Sequence, residues 1–305
     1  VSVERVPWDV VEHARHVEEC VRLYGSEHPD TLTARHHLAR AYETVGETGR
    51  AIEQYTSLLA DADRVLGREH PLSALSCSRL ARARACAGDV AGAVPFYERA
   101  LAATQGLPED DPDVAASLTN LAAAYQGCGQ AVQAVPLFER ALAVRRRARG
   151  HDTSMVLAAA NNLALAYTAV GEPTRALPLL EEALATAEAV LGSRDLLTLR
   201  IRINLASSHR TCGDVQRAVA LSEQTLADVE HERGPAHPDV LALRHHLAQA
   251  CHAAGQTGRA RVLLEQVLDE ADRSGAGSDP AVRSAVEAAC AQLDSLPDEP
   301  VSMAG

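Results

Sequence analysis

The sequence predicts an all-α chain built by repeating one pair of helices, and three observations carry that expectation. Glycines at 46, 88, 129, 171, 213 and 255 recur at intervals of 41 or 42 residues. Four further columns keep step with them through all six copies: leucine eight residues before, alanine seven before, alanine five after and leucine thirteen after. The composition is 47% hydrophobic but only 3% aromatic, and its apolar part is mostly Ala, Leu and Val. Such residues suit close helix packing better than a β-sandwich. A period of this length marks a stacked repeat, whose units bury their apolar faces against neighbours.

Each unit reads as helix, glycine turn, helix. Apolar residues recur at helical spacing before the glycine, as in Leu32, Leu38, Ala39 and Tyr42. The glycine closes that first helix because it adopts the left-handed conformation without strain. A second helix follows, for example from Arg50 to Leu66. Units are placed near 28–67, 70–108, 111–150, 153–192, 195–234 and 237–276. The chain opens on a second-type helix at 9–24, as a fragment of a longer protein or with that helix as a cap. It closes on a first-type helix at 279–293, an unpaired cap. Residues 1–293 thus form one array, and "DSLPDEPVSMAG" at 294–305 has the composition of a disordered tail.

The joints between units carry histidines that invite a chemical interpretation: "GSEHPDTL" at 25–32, "GREHPLSAL" from Gly67 and "GPAHPDVLAL" from Gly234, with weaker echoes from Glu109, Gly150, Gly192 and Gly277. Eighteen residues before each glycine stand His28, His70, Asp111, Thr153, Asp195 and His237; proline follows at 29, 71, 112 and 238. That is an N-cap followed by proline at the first helical position, where its missing N–H costs nothing. The three histidines belong to different units and cannot converge on one ion. The paired histidines His36–His37 and His245–His246 lie five units apart, and His13 with His16 lacks a third ligand. The acidic run "PEDDPD" at 108–113 lacks calcium-loop spacing. No metal site and no cofactor are expected.

Charge and motif content exclude further classes. The formal net charge is −12, which opposes binding to nucleic acid. All 29 basic residues are arginines, so a P-loop lysine and a Schiff-base lysine are both absent. No GxSxG, HExxH or Walker pattern occurs, and no catalytic residue is assigned. Seven cysteines (20, 77, 86, 128, 212, 251, 290) have no CxxC spacing and suit core positions or surface thiols in a reducing compartment. The N-terminus lacks a signal-peptide pattern, and the most apolar stretch, Met155 to Val170, is too short to span a bilayer. A cytoplasmic location, away from membranes, is expected.

The stretches "LTNLAAAYQGCGQAVQAVPLFERALAVRR" (118–146) and "ANNLALAYTAVGEPTRALPLLEEALA" (160–185), with the HPD joint, resemble the tetratricopeptide repeat. The match is to its 42-residue variety, found in kinesin light chains and many bacterial proteins. A bacterial source also fits the lysine-free, arginine-rich composition. The resemblance implies antiparallel helix pairs stacked into a right-handed superhelix (an α-solenoid) and a non-catalytic scaffold that captures an extended peptide in a concave groove. Departures accumulate toward the C-terminus. The aromatic four before the glycine is Tyr42, Tyr125 and Tyr167 but also Arg84, His209 and Cys251. The aromatic nine after is Tyr55, Tyr97 and Phe138 but then Leu180, Ser222 and Leu264, which predicts a thinner core there.

In the resemblance, first helices line the groove, and an asparagine nine before the glycine holds the backbone of the bound peptide. Asn120, Asn162 and Asn204 occupy that position here. An amide both donates and accepts, so it pairs with a peptide unit of any sequence; alternatively these amides bridge neighbouring helices. The same column holds His37, Arg79 and His246 in the other units. Helical spacing adds Arg40, Arg82, Arg200, Ser207 and Gln249 to this face. Arg40, Arg79 and Arg82 form a basic patch in an acidic protein, suited to an acidic segment through bidentate forks, or simply a solvated helix face. The rival expectation is a sensor arm of a larger nucleotide-dependent signalling regulator, since the first unit lacks half of its pair.

Overall fold

The computed structural model describes residues 8–148, 152–275 and 279–297, which form fourteen α-helices and no strand. Seven are of the first type: α2 (Pro29–Thr44), α4 (Pro71–Cys86), α6 (Pro112–Gly127), α8 (Thr153–Ala169), α10 (Leu196–Thr211), α12 (Pro238–Ala253) and α14 (Pro280–Ser295). Seven are of the second type: α1 (Trp8–Tyr24), α3 (Thr48–Val65), α5 (Val90–Ala102), α7 (Ala131–Arg147), α9 (Pro173–Val190), α11 (Val215–Arg233) and α13 (Thr257–Ser274). The helices fall into two compact units, Val1–His151 and Asp152–Gly305. Within each, every helix packs on the next in sequence, and first helices also touch one another: α2 with α4, α8 with α10, α10 with α12, and α12 with α14.

Local chemistry explains the boundaries. All six glycines of the repeat sit at φ between +75° and +88°. In each turn the N–H two residues beyond the helix cap reaches back to the carbonyl four before the glycine, as Glu47 to Tyr42 (3.0 Å) and Gln130 to Tyr125 (2.8 Å). This Schellman closure needs a left-handed residue, so a side chain at any of these glycines strains the turn. At the other end, the Nδ1 of His28, His70 and His237 accepts the N–H two residues on at 3.2 Å, and Asp111 and Asp195 do so at 2.8 Å. Thr153 does not cap α8. Asp152 does, accepting the Ser154 N–H at 2.9 Å, and Thr153 becomes the first helical residue. The better acceptor, a carboxylate, takes the position. The Gly150 and Gly277 joints fall partly outside the described residues, as does the N-terminal segment 1–7.

The small-residue columns mark the helix contacts. Both alanine columns are buried in all six copies, from Ala39 and Ala51 to Ala248 and Ala260. At the positions expected to thin the core, Leu180, Ser222, Leu264, His209 and Cys251 all remain buried. A continuous apolar cluster runs through α10–α14, from Leu199 to Leu296. The helix expected to end at 293 continues to Ser295, and Leu296 is buried behind it. The part of the expected tail that the structure describes, 294–297, thus opens with the last turn of α14; the rest, 298–305, lies outside the described residues. On α14 the solvent side is polar: Arg283 stands where the paired units have Leu or Ala, and Cys290, in the alanine column, is exposed.

An arginine column also ties helices together within each unit. Eleven residues before the glycine, Arg35 reaches Asp61 of α3 at 2.7 Å. Arg202 at the same position binds Glu188 of α9 and Asp228 of α11, each at 2.7 Å, and Arg244 binds Glu230 of α11. Arg99 of α5 likewise holds Asp63 of α3. Arg202 is 0% exposed. A desolvated cation is tolerated only when paired in this way.

Candidate functional site

The residues expected to bind a ligand fall into two sets, one in each compact unit. In the first unit His37, Arg40 and Arg82 are exposed, Arg79 is half-buried and Asn120 is exposed. Glu43, at the end of α2, lies between the arginines of α4: its Oε1 is 2.8 Å from Arg82 and its Oε2 is 3.7 Å from Arg79. The Tyr55 hydroxyl donates to the same carboxylate at 3.1 Å. One nearly buried acid thus orders two guanidiniums and neutralises one of them. Arg40 has no hydrogen bond or ion pair among the described residues. Asn120 carries no such contact either.

Histidines extend this patch. The His37 ring stacks on His13 of α1 with centroids 6.1 Å apart. Partial burial, then Arg40, His13 and His16, hold the His37 pKa below its ordinary value. His36, one residue earlier, turns inward, lies buried and places Nδ1 3.2 Å from the Ser76 hydroxyl. Burial first, then His37, Arg79 and Arg40, bring its pKa down to about 4. At neutral pH the patch is therefore arginine-driven, with neutral imidazoles beside it.

In the second unit Asn162 and Asn204 are half-buried, and Arg200 is exposed. The Asn204 amide donates to the side chain of Asn161 at 2.7 Å, so it links α10 to α8. Of the three asparagines, this one takes the bridging role. Asn161 itself is fully buried, and its Nδ2 has no partner. Asn162 shows no hydrogen bond among the described residues. Ser207, His246 and Gln249 line one small crevice between α10, α11 and α12. Nε2 of Gln249 also lies 3.4 Å from Nε2 of His245.

No group of three or more His, Cys, Asp or Glu among the described residues is placed to hold a metal ion. All seven cysteines are free; Cys20, Cys77 and Cys251 are buried, and burial pushes the Cys77 thiol up to about 11. No helix among the described residues is long and apolar enough to cross a membrane. A recess of about 580 Å³ lies where α5 ends a turn short of the other second helices, lined by Leu101, Leu107, Val114, Val144, Arg140 and Arg147.

Three features escaped the sequence reasoning. The arginine column was visible as Arg35, Arg202 and Arg244 at one register, with acids fifteen or seventeen residues after a glycine. Asn161 sits one residue before the asparagine column. Glu43 gave no signal, because its pairing joins two helices of different units.

Tetratricopeptide repeat models match residues 31–72, 76–112, 113–189, 155–230 and 197–269. Among solved structures, the nearly identical TPR-like repeats of a putative kinesin light chain from Podosopora anserina are 34% identical. They cover 68% of this chain and 99% of their own, with a TM-score of 0.60. BtubC (BKLC) from P. vanneervenii is 23% identical over 97% of this chain and 95% of that one, with a TM-score of 0.53. A tetratricopeptide repeat protein from Parabacteroides merdae ATCC 43184 is 14% identical over 92% and 93%, with a TM-score of 0.59. These last two share the fold. Among curated proteins, none matches this chain.

Proposed function

Because the chain belongs to the tetratricopeptide-repeat family, whose fold serves protein–protein interaction, we propose that it is a non-catalytic scaffold whose α2–α4 face captures an acidic peptide segment. The supporting observation is the charge balance on that face. Three guanidiniums, of Arg40, Arg79 and Arg82, stand against the single carboxylate of Glu43. This leaves an excess of positive charge on a chain whose net charge is −12. Arginine forks accept carboxylates in a fixed plane, and Glu43 holds two of them in place before any ligand arrives, which lowers the entropy lost on binding. Asn120 on the next first helix offers a donor and an acceptor to a peptide backbone.

A labelled glutamate-rich peptide, followed by fluorescence anisotropy, tests this. Affinity should weaken as salt rises from about 0.05 M to about 0.3 M, over which the screening length shortens about 2.5-fold. Arg79→Ala with Arg82→Ala should lower affinity by at least about tenfold and flatten the salt dependence. Glu43→Gln keeps an amide oxygen to position the guanidiniums but removes the competing negative charge, so affinity should rise. If the double arginine variant keeps the wild-type affinity and salt slope, the patch is bystander surface.

A further inference from the structure

Among the described residues, every buried or half-buried arginine has a partner except Arg210. Arg210 is half-buried near the end of α10 and lines the crevice between α10, α11 and α12, with Ser207, Ser222, His246 and Gln249. No carboxylate lines this crevice. Its volume is about 10 Å³, room for about one water-sized group. The opening has a sequence cause. Nine residues after the glycine, the other units place Tyr55, Tyr97, Phe138, Leu180 or Leu264, whereas here the residue is Ser222. A hydroxymethyl group stands where an aromatic or leucine side chain fills the other units, so space and a hydroxyl replace packed carbon.

We infer that this crevice is an oxyanion site, taking a single carboxylate or phosphate group with one oxygen seated at its base. Arg210 supplies the compensating charge. Ser207, Ser222 and Gln249 supply hydrogen-bond donors that need no deprotonation, and neutral His246 has one N–H to offer. A half-buried guanidinium without a counterion carries a desolvation cost that an arriving anion relieves. His246 is an exposed position of α12, and burial of its ring, then His245 and Arg210, hold its pKa below the usual value. The site lies in the second compact unit and does not depend on the acidic-peptide function proposed for α2 and α4.

The test needs no peptide. The full chain, labelled in its histidines, is titrated with inorganic phosphate and separately with acetate, at constant ionic strength made up with chloride, while the His246 resonances are followed by NMR. A saturable shift with either anion is expected, phosphate assigning a phosphoryl ligand and acetate a carboxylate. Arg210→Gln and Ser222→Leu should each weaken it by at least about tenfold. Ser222→Leu installs the residue that the same column carries at Leu180 and Leu264, so the fold tolerates it while the crevice fills. Arg79→Ala with Arg82→Ala should leave the titration unchanged, which separates this site from the basic patch. No saturable shift with either anion, or a shift that survives in both crevice variants and marks an adventitious ion only, overturns the inference.

Discussion

Arg202→Met is the sharpest test of how the stack is held together. The guanidinium of Arg202 is buried and holds Glu188 of α9 and Asp228 of α11, both at 2.7 Å. Methionine keeps an unbranched stem and its packing but removes the charge. Removing one member of a buried ion pair costs about 3–5 kcal/mol, because the remaining charge loses its compensation. Here the two carboxylates are 41% and 30% exposed, so water takes over part of that task. The expected loss is accordingly about 2–3 kcal/mol. Adding Glu188→Gln and Asp228→Asn removes the stranded charges and should restore more than half of it, a non-additivity that only direct contact produces. Urea unfolding followed by far-UV circular dichroism reads both values from the shift in midpoint at constant slope. A single variant within about 0.5 kcal/mol of wild type would refute the reasoning and leave the Arg202 ion pairs without a stabilising role.

Two further perturbations follow from the packing and the titration. Ala176→Leu puts a branched side chain into a fully buried column and should cost about 1–3 kcal/mol, whereas Ala185→Leu on the exposed side of the same helix should stay within about 0.5 kcal/mol; equal effects in urea melts would contradict the column's role. His36 binds its proton at about 4 in the folded chain against 6.5 without the fold. Its neutral form is the one that fits, so its contribution is complete above pH 6.5 and is lost as pH falls from about 6.5 to about 4, by up to about 3 kcal/mol. His36→Gln should flatten that part of the stability profile, and a profile unchanged by the substitution would remove His36 as its source.

The repeat was legible because its determinants are local or strictly periodic. A glycine that must be left-handed, an acceptor before proline and two alanine columns recur at one spacing, so alignment of the chain with itself exposes them. Thr153 misled because its neighbour Asp152 is the stronger cap, and the last helix runs two residues past 293, to Ser295, with Leu296 buried behind it. The site was less legible because its side chains are settled by neighbours about forty residues away. Asn204 spends its amide on Asn161. Arg79 and Arg82 share Glu43, so the apparent strength of the patch depends on a cross-helix pairing. Ser222 was readable as a lost aromatic, but the crevice it opens requires the positions of α10 and α12 as well.

Hydrogen exchange of the full chain, with and without a saturating glutamate-rich peptide, tests most directly whether the first-helix face is the recognition surface. Slower exchange concentrated in α2 and α4, with α3 and α5 unchanged, is the predicted outcome. Protection centred on α3 and α5 instead, or none anywhere on the first unit, contradicts it.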